Sequence, residues 1–210
     1  MLDGVIRRWM DPPLDVAGRW LAGHGATPNQ VTLFGLGLGL GAALLVAVGA
    51  SGIAILPLLL SRIADGLDGA VARATQKTDF GGYLDIACDF LFYGAIPMAF
   101  VFADPASDGA AGAFLICSFY FNGTTFLGYA ILAEKHRLST TSRGSKSLYF
   151  TGGLLEGSET IGFFTALCLW PSWFAALSWI YGALCFITAL SRILLARQVF
   201  SGNDPGAPRS

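Results

Sequence analysis

Six stretches of roughly twenty mostly apolar residues, separated by short polar turns, decide what this chain can fold into. They run from Val31 to Ala50, Ile53 to Ala74, Phe80 to Ala103, Ala110 to Ala133, Leu148 to Trp170 and Trp173 to Ala196. A helix of that length crosses the hydrocarbon core of a bilayer. The whole chain agrees: 54% of its 210 residues are hydrophobic and 13% charged, whereas a soluble domain carries about 25% charged residues. Mean hydropathy is +0.59. So few charges cannot cover a water-soluble surface, and so much apolar content excludes low-complexity disorder. A net charge of −1 gives no bulk basic character for nucleic acid.

Before the first span, Ile6, Trp9, Met10, Leu14, Val16, Trp20 and Leu21 alternate with Arg7, Arg8 and Arg19. This mixture reads as an interfacial amphipathic helix, broken near Pro12-Pro13. The expected fold is therefore an all-α integral membrane protein, with six transmembrane helices behind an N-terminal interfacial helix. Residues 1–200 form one membrane domain, with the interfacial helix over 1–25 and the bundle over 31–196. Residues 201–210 form a polar tail. Met1-Leu2-Asp3-Gly4 opens no signal-peptide pattern. The four cysteines sit in apolar runs without metal-type spacing and imply no disulfide framework.

Lys and Arg set the orientation. Arg7, Arg8 and Arg19 precede the first span, and Arg73 and Lys77 follow the second. Lys135, Arg137, Arg143 and Lys146 lie between the fourth and fifth, and Arg197 and Arg209 end the chain. The intervening turns, near Ser51, Asp104 and Ser172, carry none. The positive-inside rule then places both termini in the cytoplasm, with six spans alternating without exception.

Against this pattern, six acids fall inside spans: Asp65, Asp68, Asp85, Asp89, Glu156 and Glu159. A carboxylate at mid-helix costs about 2.5–3.5 kcal/mol on insertion scales, so such groups face protein or water. Asp65 and Asp68 are three apart and Asp85 and Asp89 four apart, so each pair shares a helix face. A short cytoplasmic turn joins their spans, and four carboxylates are expected to converge. A single pair would more often be a helix cap or an ion pair with Arg62 or Arg73. Two facing pairs favour neutralisation by hard cations, Mg²⁺, Mn²⁺ or Ca²⁺ and not zinc. Two ions on shared carboxylates suit displacement at phosphorus. Gly66, Gly69, Ala70 and Ala72, with Gly81 and Gly82, either allow close helix packing or let backbone approach a phosphate. Arg73, one turn beyond Gly69, can hold a phosphate oxygen.

Read as one string, Asp65-Gly-Leu-Asp68-Gly69-Ala-Val-Ala72-Arg73 followed by Gly81-Gly-Tyr-Leu-Asp85-Ile-Ala-Cys-Asp89 resembles the signature of the CDP-alcohol phosphotransferases, D-x2-D-G-x2-A-R-x8-G-x3-D-x3-D. Thr27-Pro28-Asn29-Gln30-Val31-Thr32 is similar to that family's P-N-x-x-T stretch. The chain departs at one place, with seven residues instead of eight between Arg73 and Gly81. A one-residue deletion in the turn keeps both acidic pairs in register. The resemblance covers essentially residues 1–200.

The resemblance implies a membrane enzyme of phospholipid synthesis. A phosphatidyl group would pass from a CDP-linked donor, CDP-diacylglycerol in the commonest bacterial case, to an alcohol, with release of CMP. Asp65, Asp68, Asp85 and Asp89 would ligate two divalent cations, Mg²⁺ or Mn²⁺, and Asp89 would also be the general base. Asn29, Gln30, Val31, Thr32, Gly69, Ala72, Arg73, Thr78 and Gly81 would surround the CDP moiety. Homodimerisation and a bacterial inner-membrane location, with the site toward the cytoplasm, also follow from the resemblance.

Outside the signature, Arg143 and Lys146 are candidates for binding a phosphorylated acceptor such as glycerol 3-phosphate, though positive-inside charge is expected there in any case. Glu156 and Glu159 read equally well as acceptor contacts or as a polar wall. His24 and His136 read as loop or interface residues. The aromatic run from Phe114 to Phe126 reads as lipid-facing or helix-packing surface. The alternative function is a cation transporter or channel using the acids as an ion path. The clustering of the carboxylates toward one face weighs against it.

Overall fold

The computed structural model describes residues 3–136 and 157–201, with side chains described from Arg8 onward. The described residues are almost entirely helical, and none is in a strand. The helices are α1 (Asp3–Gly23), α2 (Pro28–Ala47), α3 (Ser51–Ala74), α4 (Asp79–Ala103), α5 (Pro105–Lys135), α6 (Gly157–Leu169) and α7 (Phe174–Phe200), with a 3-10 turn at Pro171–Trp173 before α7. Arg137, Arg143, Lys146 and Glu156 lie outside the described residues.

Among the described residues, four helices are long and apolar enough to cross a membrane: α2, α4, α5 and α7 with its leading turn. The chain is an integral membrane protein. The expected count was six. α3 is 24 residues long, but Arg62, Asp65, Asp68 and Arg73 interrupt its apolar character. α6 has 13 described residues, and the first part of the expected fifth span lies outside the described segment.

Local sequence explains the helix ends. Thr27 caps α2 in a reciprocal box: its hydroxyl accepts from the Gln30 backbone N–H, and the Gln30 side chain accepts from the Thr27 N–H. α2 stops at Ala47, and the chain leaves it through Gly49, whose φ of 81° lies in the left-handed region that favours glycine. Thr78 caps α4 by accepting from the Gly81 N–H at 3.0 Å, so α3 and α4 turn back over only four residues, Thr75 to Thr78.

The break expected at Pro12-Pro13 is absent. α1 is continuous, with both prolines inside it. Each removes one backbone donor, but the neighbouring residues 8–13 are exposed. The carbonyls left over can therefore be satisfied by water or headgroups. α1 lies on α3, where small residues let the two backbones meet. A Cβ on Gly18 would stand 2.7 Å from that of Ala70, and one on Gly66 would stand 3.0 Å from Leu14. Packing thus accounts for Gly66 and Ala70.

The main core gathers Ala42, Val46, Ala54, Leu58, Phe92, Ile96, Phe164 and Phe174 from α2, α3, α4, α6 and α7. Gly39 of α2 presses on Phe92 and Ser61, where an added Cβ would come within 2.6 Å of the Phe92 ring. Phe92 also meets Phe164 edge-on, with centroids 5.9 Å apart. This layer is the floor beneath the acidic residues. α5 and α7 pair separately, and their aromatics serve that packing. Phe114 contacts Trp179 and Phe186, and Phe121 contacts Phe186.

Candidate active site

The turn between α3 and α4 makes the two helices antiparallel, which brings Asp65 opposite Asp85 and Asp89. These three carboxylates offer oxygen atoms all within 4.8 Å of one another. Oxygens ligating a hard divalent cation at about 2.0–2.6 Å fit inside that spread. All three are half-buried, so the group remains reachable from outside the bundle. The shortened turn leaves the pairs in register, and seven residues between Arg73 and Gly81 suffice.

The fourth aspartate has a partner of its own beside these three. Asp68 is buried, and the Thr32 hydroxyl of α2 donates to its Oδ2. A buried carboxylate needs such a donor, and Thr32 is one turn inside α2, where the capping box at Thr27 fixes the helix start. The P-N-x-x-T stretch and the aspartate string are therefore joined directly through Thr32 and Asp68. Asn29 joins them a second time, since its Oδ1 lies 3.3 Å from where a Gly81 Cβ would stand. Thr78, Gly81, Asn29 and Thr32 thus line the rim where α2 meets the α3–α4 turn.

Arg73 is exposed but already paired. Its Nη2 and Nε donate to Asp15 Oδ1 of α1 at 2.7 and 3.1 Å, and Nη1 lies 3.4 Å from the position of a Gly69 Cβ. A phosphate at Arg73 would compete with Asp15. Ala72 is half-buried one residue away, and Val31 is buried against Ala64 and Val71. Glu159 is half-buried in the first turn of α6. His24 Nδ1 lies 2.7 Å from the Trp20 carbonyl oxygen, in keeping with a helix-end role.

Two arginines stand out beyond the expected set. Arg62 donates from Nη1 to Asp89 Oδ1 at 2.8 Å and lies 3.5 Å from Asp65 Oδ1. Arg192 of α7 is buried, and its Nη1 meets only neutral oxygens: the Asn122 carbonyl, Asn122 Oδ1 and Thr125 Oγ1. A lone arginine in an apolar run is a legible signal of a buried polar contact, but its partner is not readable from spacing.

Between α1, α2 and α3 lies an apolar cavity of about 510 Å³. Leu21, Val31, Phe34, Leu60, Ala64 and Leu67 line it, with Gln30 at its polar end.

The family profile of the CDP-alcohol phosphatidyltransferases matches residues 26–200. The chain belongs to the CDP-alcohol phosphatidyltransferase family. It is accordingly a transferase of phospholipid synthesis. A curated relative, inner membrane protein YnjF of Escherichia coli (strain K12), is 43% identical over 193 residues, covering 92% of this chain and 94% of that protein. The fold of this phosphatidyltransferase is also that of a Mycobacterium tuberculosis phosphatidylinositol phosphate synthase solved with manganese and citrate. That match has a TM-score of 0.68 at 23% identity, over 92% of this chain and 93% of the other. The same synthase with CDP-DAG bound matches at a TM-score of 0.66 and 22% identity, over 93% of this chain and 98% of that one.

Proposed function

We propose that this phosphatidyltransferase moves a phosphatidyl group from CDP-diacylglycerol to an alcohol, with release of CMP, using divalent cations held by its aspartates. The observation that carries the reading is the meeting of Asp65, Asp85 and Asp89 within 4.8 Å, beside Asp68 on Thr32. Oxygen-only ligands suit Mg²⁺ or Mn²⁺, and such ions, when bound, neutralise the donor diphosphate and the leaving CMP. The cytidine end rests on the rim formed by Asn29, Thr32, Gly69, Arg73, Thr78 and Gly81. An acyl chain takes the apolar cavity beside Val31 and Ala64, which suits a lipid donor better than a soluble one.

In this reading Asp89 accepts the proton of the acceptor hydroxyl. That oxygen bonds to the lipid-bearing phosphorus as the bond to the bridging oxygen breaks, and the electron pair leaves with CMP. A base must lie within hydrogen-bond reach of the proton it takes, and the half-buried position of Asp89 beside Asp65 and Asp85 supports that role. The acceptor is a phosphorylated alcohol, glycerol 3-phosphate or an inositol phosphate. The cations expected before the fifth span and the likeness to a phosphatidylinositol phosphate synthase support this choice. Six spans, a surface-lying α1 and both termini in the cytoplasm complete the arrangement, supported by the sorting of Lys and Arg. Cation transport has no comparable support from the family.

The test is CMP release from labelled CDP-diacylglycerol by purified protein, with and without Mg²⁺ or Mn²⁺, across a panel of alcohols. Metal-dependent release with at least one acceptor is expected. Its absence with every acceptor, alongside cation flux in proteoliposomes, would overturn the reading.

A further inference from the structure

The geometry points to Arg62 as a built-in cation that positions Asp89 and restrains how tightly the aspartates hold metal. Arg62 sits one helical turn before Asp65, with its side chain only 8% exposed. Its guanidinium is fixed on several sides. Nη1 donates to Asp89 Oδ1 at 2.8 Å, and Nη2 donates to Ser61 Oγ at 3.1 Å. The Ser61 hydroxyl is itself committed to the Gly35 carbonyl of α2 at 2.7 Å. The planar group lies over the fully buried Phe92 ring, 3.8 Å from its centroid. Stacking, a fork of donors and an anchored serine hold it more firmly than a flexible surface cation could be held.

Two consequences follow. Asp89 has one oxygen taken by Arg62, so its other oxygen is the one turned to a cation or an acceptor proton. Removing a partner behind a ligating carboxylate typically costs about 10–100-fold in metal affinity or activity; with Arg62 that loss falls on activity, because removing its positive charge favours the metal. Arg62 also places a permanent positive charge against Asp65 and Asp89, where it opposes a divalent cation. With four aspartates and two divalent cations, Arg62 leaves the site with a net positive charge instead of none, which suits an incoming diphosphate. Arg62 touches no reacting atom, so it is a positioning residue.

The kinetic half of this inference rests on the transferase reading, and the metal half does not. The experiment compares purified wild type, R62Q and R62K in detergent, measuring Mn²⁺ binding without donor and kcat and KM for CMP release. R62Q is expected to bind Mn²⁺ about tenfold more tightly, because a like charge is gone. Its kcat should fall at least about tenfold, with donor KM changing less than kcat. R62K keeps the charge but loses the planar fork that spans Asp89 and Ser61 and stacks on Phe92. Its Mn²⁺ affinity should therefore stay near wild type while kcat falls. Folded R62Q with unchanged or weaker Mn²⁺ binding, or R62K with wild-type kcat, would overturn the assignment. If R62Q fails to purify as a monodisperse folded protein, R62K decides by the same criteria. Wild type that binds Mn²⁺ but releases no CMP would overturn the transferase reading instead, and tighter binding by R62Q would then still support the metal half.

Discussion

Asp89 is held from behind by Arg62 and faces Asp65 and Asp85 in front, so its replacement separates base chemistry from architecture. D89N keeps the shape and the hydrogen-bond reach but loses the proton-accepting charge. Turnover should fall by about 10²–10⁴-fold, measured as CMP release at saturating donor, while the protein stays folded. Full turnover in D89N would contradict the assigned role. Thr32 offers a second check. T32V preserves shape but leaves a buried Asp68 oxygen without its donor, so stability should drop by about 1–3 kcal/mol, read as a lower thermal midpoint in detergent. These partnerships differ in how legible they are. The spacing of Asp65 with Asp68 and of Asp85 with Asp89 is a helical signal, visible in the string itself. That Thr32 captures Asp68 from 36 residues away, and Asp15 captures Arg73 from 58 away, has no periodicity to betray it. Asp68, buried on Thr32, lies beside the group of three carboxylates whose oxygens meet within 4.8 Å, and only this Thr32 partnership is missing from the string.

At the scale of elements, glycines and small residues decide how closely helices approach. Gly18 is where α1 touches α3, and a side chain there meets Ala70 at 2.7 Å from the first carbon onward. G18V should lift α1 from α3, weaken the Asp15–Arg73 pair and speed tryptic cleavage at Arg19, with no change in the cleavage of the bundle. Gly39 supports the floor, and G39A forces Phe92 or Ser61 to move, which should cost about 1–3 kcal/mol of stability. Phe92 stacks on Arg62, so G39A should also lower turnover. Helix positions were readable from apolar length. The continuity of α1 through Pro12 and Pro13 was not, because the penalty for a missing donor depends on whether the freed carbonyl reaches solvent, a tertiary property. α3 is the opposite case. Its charges mark the functional helix in the sequence and, for the same reason, keep it off the set of purely apolar spans.

For the whole molecule, the sorting of charge carries the functional argument. Lys and Arg of the polar turns are expected on one face, while acids gather in helices where lipid would exclude them unless they faced one another. With the native cysteines replaced by alanine, K77C and D104C should label from opposite sides of the membrane with an impermeant thiol reagent. Labelling from the same side would contradict the orientation. In the proposed orientation the site faces the cytoplasm, the side that would supply a CDP-linked donor and an alcohol acceptor, and the apolar cavity between α1, α2 and α3 would take an acyl chain. The most direct test of this account follows both products from one donor. With CDP-diacylglycerol labelled in its lipid part, purified protein, Mn²⁺ and a phosphorylated alcohol should yield a new labelled phospholipid and CMP in equal amounts, and EDTA or D65N should abolish both. CMP formed without any new phospholipid, or product formation that survives EDTA, would contradict it.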